Sequence, residues 1–156
     1  MRIIIDGPDG AGKVLLCRTI SEMTGQKIVH LSHDNYERPF DLAFYINLFD
    51  ENKDVIFNRS FFSEIIYARI KKRRCYISHE DVNFLVAKLK KEHSLIIHVT
   101  NDLDVLLKRF NKRGDSFMNA YELSLAKENY DIVMDSQDIT LVKLNVNNEL
   151  CEKLGR

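Results

Sequence analysis

Seven residues near the start of the chain have the types and order that phosphate chemistry needs. Gly7-Pro8-Asp9-Gly10-Ala11-Gly12-Lys13 matches the pattern G-x-x-x-x-G-K. Glycines let successive backbone N–H groups turn inward around a phosphate, and a helix beginning there adds the positive end of its dipole. Lys13 would add a mobile positive charge for the outer phosphates. The next residues are Val14 and Leu15, where a serine or threonine hydroxyl would normally help hold magnesium. Valine has no oxygen to offer. Two readings follow: another group or water completes the metal shell, or catalysis is lost while nucleotide binding remains.

Such a loop works only between a buried strand and a helix, and the surrounding pattern supplies both. "RIIID" at 2–6 precedes it, and helical periodicity over 13–24 follows. Further β-branched runs at 27–31, 54–58, 95–99 and 139–146 predict strands, five in all. Apolar residues three and four apart predict helices over 41–51, 61–73, 79–92, 102–113 and 118–134. Nearly all-apolar strands separated by crossover helices imply a parallel sheet covered on both faces. The expected architecture is α/β, a three-layer α/β/α fold with a five-stranded parallel sheet.

With 156 residues, 45% of them hydrophobic, the chain fits one compact soluble domain spanning 1–156. Lys and Arg total 23, as do Asp and Glu, so net charge gives no general reason to bind nucleic acid or membrane. Cys17, Cys75 and Cys151 fit neither a disulfide framework nor a paired metal pattern. No apolar run approaches the ~18 residues that would span a bilayer. A chain that enters a strand at once is not expected to carry a secretory leader, so the expected location is the cytoplasm.

Four segments resemble the thymidylate kinase-like branch of the P-loop nucleoside and nucleotide kinases. "DGPDGAGK" is similar to the family's G-x-D-x-A-G-K loop, whose carboxylate faces the acceptor sugar, a role that falls on Asp9. "YERPF" at 36–40 resembles an arginine-proline element near the acceptor phosphate, matched by Arg38. "NRSFFSE" at 58–64 is similar to D-R-[YS] or E-R-S, with Arg59 as the acceptor or phosphate arginine. "LLKRFNKRGD" at 106–115 resembles the family's lid, here about 109–120, and Arg109 and Arg113 match its arginines. Tyr130, about one helix later, also fits.

The resemblance implies a P-loop NTPase fold, ATP and Mg2+ as cofactors, and transfer of the γ-phosphate to a nucleotide or nucleoside. A deoxynucleoside monophosphate is the favoured acceptor. Gly7, Asp9, Gly10, Ala11, Gly12, Lys13, Val14 and Leu15 would surround the donor, and Lys13, Arg59, Arg109 and Arg113 would stabilise the transferring group. Asp9, Asp34, Arg38, Phe40, Arg59 and Glu64 are the candidates on the acceptor side. A monophosphate acceptor is already ionised, whereas a hydroxyl acceptor would need a base such as Asp6, Asp34 or Glu64. Asn58 stands where the family has an acidic residue, so it and Asp6 are the candidates nearest the metal, directly or through water. The stretch between Pro39 and Asn58 is shorter than in ordinary thymidylate kinases, so the acceptor pocket must be built differently. The family also implies pairing into a homodimer through helices on one face of the sheet.

The remaining features have plain structural explanations beside functional ones. The basic run over 69–74 suits a solvated helix end, and alternatively contact with DNA or RNA, which would make a nucleic acid hydroxyl the acceptor. Phe40, Phe44, Tyr45 and Phe49 fall at helical spacing and read as a core stripe, with one ring available to stack on a base. His30 and His33 flank the end of the second strand, where they could line a cleft.

Overall fold

The computed structural model describes residues 1–114 and 117–144. Five strands form one sheet: β1 Ile3–Asp6, β2 Lys27–His30, β3 Val55–Asn58, β4 Leu95–Thr100 and β5 Thr140–Lys143. Their order is β2-β3-β1-β4-β5, with every neighbouring pair parallel. The flanking helices are α1 Lys13–Thr24, α2 Leu42–Glu51, α3 Phe61–Ile70, α4 His79–Lys91, α5 Leu103–Arg113 and α6 Ala120–Asp135. A short 3-10 turn at His33–Asn35 follows β2. Residues 145–146 of the expected last strand, 115–116 of the expected lid, and Cys151 lie outside the described residues.

Burial follows position in the sheet. β1 is buried throughout, and Ile4, Ile5, Ile56 and Phe57 have no exposed surface. The edge strands are different: Lys27 and His30 of β2, and Thr140, Leu141 and Lys143 of β5, are exposed. β2 and β5 are the edges of the sheet, each with a neighbour on one side only, and their ends reach solvent. The aromatic stripe is core. Phe40, Phe44, Tyr45 and Phe49 are all buried, and Phe40 stacks on Phe44 with centroids 4.3 Å apart.

The helix starts divide into two kinds. Asp41, Ser60, Ser78 and Asn119 cap α2, α3, α4 and α6 with side-chain hydrogen bonds, the last two as full capping boxes. α1 and α5 have no side-chain cap. The expected third helix ends early, at Ile70, because Lys72 adopts a left-handed conformation at φ 52 within the basic run.

Strand order also fixes where a ligand can go. β1 leads away to β2, while its neighbour β3 leads to β4 on the other side, so their crossovers part at the carboxyl ends of β1 and β3. Open α/β sheets bind ligands at such a point. Both the glycine-rich loop and Arg59 leave the sheet there.

Candidate active site

The loop after β1 is shaped by close approach. A Cβ at Gly7 would come within 1.9 Å of the Val99 carbonyl oxygen, so no larger residue fits between the loop and β4. Gly12, at φ 101, turns the chain into α1. Of the two helices without a side-chain cap, only α1 begins against the cavity, where Gly12, Lys13, Val14 and Leu15 form one wall. Open N–H groups at a helix start make a site for an anion.

The rest of the lining comes from β2, from the end of β3 and from α5. Asn58, Arg59, His30, Arg109, Lys112 and Arg113 line the same cavity, together with Asp9 and Gly10 of the loop. Arg59 holds φ 77, a conformation costly for a residue with a side chain. Two contacts keep it there: its N–H donates to Ile5 O at 2.9 Å, and its guanidinium donates to Asp9 Oδ1 at 2.9 Å. The guanidinium also lies over the Tyr67 ring, 5.7 Å from its centroid.

Positive charge dominates. Five cationic side chains line the cavity, and Asp9 is the one carboxylate among the described lining residues. Burial alone would raise the pKa of Asp9, but Lys13, Arg59 and Arg113 outweigh it and hold the carboxyl below its usual range. Burial lowers Lys13 to about 8, and Arg59 pushes the same way. Lys13 Nζ donates to Gly7 O at 2.6 Å and to Pro8 O at 3.0 Å, and lies 4.0 Å from Asp9. Burial, then Arg59 and Lys13, lowers the His30 imidazole below its ordinary range.

Asp6 has a different place. Its carboxylate is wholly buried, and it accepts from Gly7 N, Ser60 Oγ, Ser63 N, Ser63 Oγ and Tyr130 OH at 2.6–3.1 Å. Those donors join the loop, α3 and α6. Asp6 is outside the cavity lining, so it anchors these elements rather than facing a bound ion. Asn58 is 5% exposed, and its Oδ1 has no hydrogen-bond partner. An amide oxygen is an ordinary ligand of hard cations, so this atom suits Mg2+ where Val14 does not.

The other acceptor-side candidates fall outside the cavity lining. Phe40 is buried between His33 and Phe44. Arg38 is exposed, pairs with Asp41 at 3.3 Å and lies over the Phe44 ring. Asp34 is exposed in the 3-10 turn. Glu64 is 4% exposed, held by Arg73 at 2.8 Å and by His33 at 2.7 Å. Arg109 reaches the cavity while donating to Gly10 O at 2.7 Å and Leu144 O at 3.0 Å, so it also braces the loop against the chain after β5. Lys112 was missed by motif reasoning, although it lies between the two matched lid arginines. The lysine-arginine run stays mostly at the surface, where three of its members have partners: Arg73 pairs with Glu64, Lys71 with Glu122, and Arg69 meets His79.

No protein-family model matches the chain. The SPbeta prophage-derived protein YorR of Bacillus subtilis is 24% identical over 139 residues, which cover 86% of this chain and 82% of YorR. The crystal structure of YorR in complex with phosphorylated GDP superimposes with a TM-score of 0.78 at 22% identity, covering 92% of this chain and 85% of that one. A deoxyadenosine kinase from M. mycoides with bound dCTP gives a TM-score of 0.61 at 20% identity, covering 99% and 96%. A shikimate kinase from Acinetobacter baumannii in complex with shikimate gives 0.56 at 12%, covering 98% and 89%. At these identities the likeness is one of fold: a five-stranded parallel sheet flanked by helices, with a glycine-rich loop after the first strand, as in P-loop NTPases.

Proposed function

We propose that this chain is a phosphotransferase that moves the γ-phosphoryl group of ATP to a nucleotide, with a deoxynucleoside monophosphate as acceptor. The observation that carries this reading is the imbalance of charge in the cavity: five cations face one carboxylate, and that carboxylate is ion-paired. Asp6 and Glu64 are also held by protein donors. No described carboxylate is thus left at the cavity to take a proton from a hydroxyl, and an acceptor whose oxygen is already ionised suits the site.

Phosphoryl transfer asks mainly for positioning and charge neutralisation. Lys13 and the N–H groups at the start of α1 would hold the outer phosphates of the donor. Arg59, fixed by Asp9, would orient the acceptor phosphate, while Arg113 and Lys112 would offset charge that builds on the migrating group. Asp9 would also face the acceptor sugar, as in the thymidylate kinase-like proteins. Asn58 Oδ1 is the residue atom suited to hold Mg2+, which would offset the negative charge of the donor phosphates. YorR with phosphorylated GDP and deoxyadenosine kinase with dCTP support a nucleotide as the ligand. Among the described residues no helix is long and apolar enough to cross a membrane.

The test is purified protein with ATP and Mg2+ against separate panels of deoxynucleoside monophosphates, nucleosides and 5′-hydroxyl oligonucleotides. ADP release with a monophosphate alone is the expected outcome. Turnover confined to nucleosides or oligonucleotides would replace the acceptor. ATP binding without turnover of any acceptor would favour a nucleotide-binding pseudokinase, the reading to which Val14 points.

A further inference from the structure

Away from the cavity, β4 and α6 bring a histidine and two aspartates together. His98 belongs to β4, and its side chain is wholly buried. Asp131 and Asp135 stand one helical turn apart on α6. His98 Nδ1 lies 3.1 Å from Asp135 Oδ1, and Nε2 lies 4.0 Å from Asp131 Oδ1. One ligand atom from each of the three residues lies within 4.8 Å of the others.

The hydrogen-bond chemistry leaves one atom unexplained. An ionised carboxylate only accepts, so the contact with Asp135 places the ring proton on Nδ1. In the neutral ring the lone pair is then on Nε2, a buried atom without a hydrogen-bond partner. It faces a second acceptor, the Asp131 oxygen. Two acceptors repel across a gap of 4.0 Å, and a cation between them replaces the repulsion with two bonds. A tetrahedral zinc with bonds of about 2.0–2.2 Å sets two of its ligand atoms about 3.3–3.6 Å apart, so the partly exposed Asp131 carboxylate would move in by about half an ångström to share the ion with Nε2. Lys127 bonds Asp131 through Oδ2 and leaves Oδ1 for the ion. The Asp131 side chain is 35% exposed, so water can reach and complete the shell.

We infer that His98 Nε2 and Asp131 Oδ1 form a binding site for a divalent transition ion such as Zn2+, separate from the nucleotide cavity. Asp135 holds the other ring nitrogen, the outer carboxylate that commonly orients a metal-bound histidine. Imidazole with carboxylate favours zinc over magnesium, which prefers oxygen ligands and its own waters. The ion would tie β4 to α6 beside Tyr130, whose ring stacks on His98 and whose hydroxyl donates to Asp6. Its occupancy would therefore brace the helix that supplies one donor to the junction beneath the phosphate loop.

The experiment uses tag-free, chelator-treated protein, titrated with Zn2+ by calorimetry and followed by thermal unfolding, with Mg2+ in parallel. One Zn2+ per chain is expected, with Tm raised by several degrees by zinc and unmoved by Mg2+. Asp131→Ala, on the half-exposed side of α6, is expected to weaken zinc binding at least about tenfold, and Asp135→Asn to weaken it less. His98→Gln should abolish it. Because His98 is buried and its replacement can disturb folding, Asp131→Ala keeps the outcome decisive. Absence of zinc binding, or binding that Asp131→Ala leaves unchanged, overturns the inference.

Discussion

Two clusters of polar groups stand side by side at the end of β1 and are built in opposite ways. Around Asp6, every carboxylate oxygen is met by donors from three elements, and the group is sealed from solvent. A few residues on, the cavity holds a lysine lowered by burial, an arginine in a strained conformation, an uncapped helix start and an amide oxygen without a partner. The first cluster spends its hydrogen bonds on the fold. The second keeps them for a ligand, and stability bears the cost.

The largest effect should come from breaking the closed cluster. Asp6→Ala leaves Gly7 N, two serine hydroxyls and the Tyr130 hydroxyl short of an acceptor, so a loss of about 3–5 kcal/mol is expected in denaturant unfolding. Nucleotide binding should fall with it, because the loop loses its anchor. Retained stability in Asp6→Ala would erase the contrast.

Lys13→Met tests the open cluster. ATP affinity or turnover should drop about a hundredfold or more, while the unfolding midpoint stays level or rises, since a buried charge has been removed. The same lysine predicts a pH dependence. Its pKa is 10.5 unfolded and about 8 folded, so between those values the unfolded chain carries more protons and stability rises with pH. The span corresponds to roughly 3 kcal/mol from this group, read as the difference between the pH profiles of the parent and Lys13→Met. ATP affinity of the parent should weaken over the same rise as Lys13 loses its charge.

The smallest change sharpens the comparison most. Asn58→Leu, close in shape, removes a buried oxygen without a partner and should stabilise the chain by about 1 kcal/mol. It should also blunt the Mg2+ dependence of ATP binding in calorimetry. A loss of stability would mean that Asn58 serves the fold after all.

How much of this could be read from residues alone differs between the two clusters. The loop from Gly7 to Lys13 was legible because its chemistry needs glycines and a lysine at fixed spacing, a demand that local sequence satisfies entirely. Arg59 and Arg113 were legible only through a family resemblance, and both line the cavity. Arg38 came from the same resemblance, yet its side chain pairs on the surface, whereas Phe40, read from its helical spacing as part of a core stripe, is buried in an aromatic stack.

The sequence by itself determined the strands, the helices and the phosphate loop, because hydrophobic period and glycine spacing act over a few neighbouring residues. Only the tertiary structure decided which polar groups are satisfied. Asp6 meets Tyr130 across 124 positions, and His98 meets Asp135 across 37. Such pairings follow from strand order and helix packing, which bring together residues whose types and local spacing carry no mark of one another.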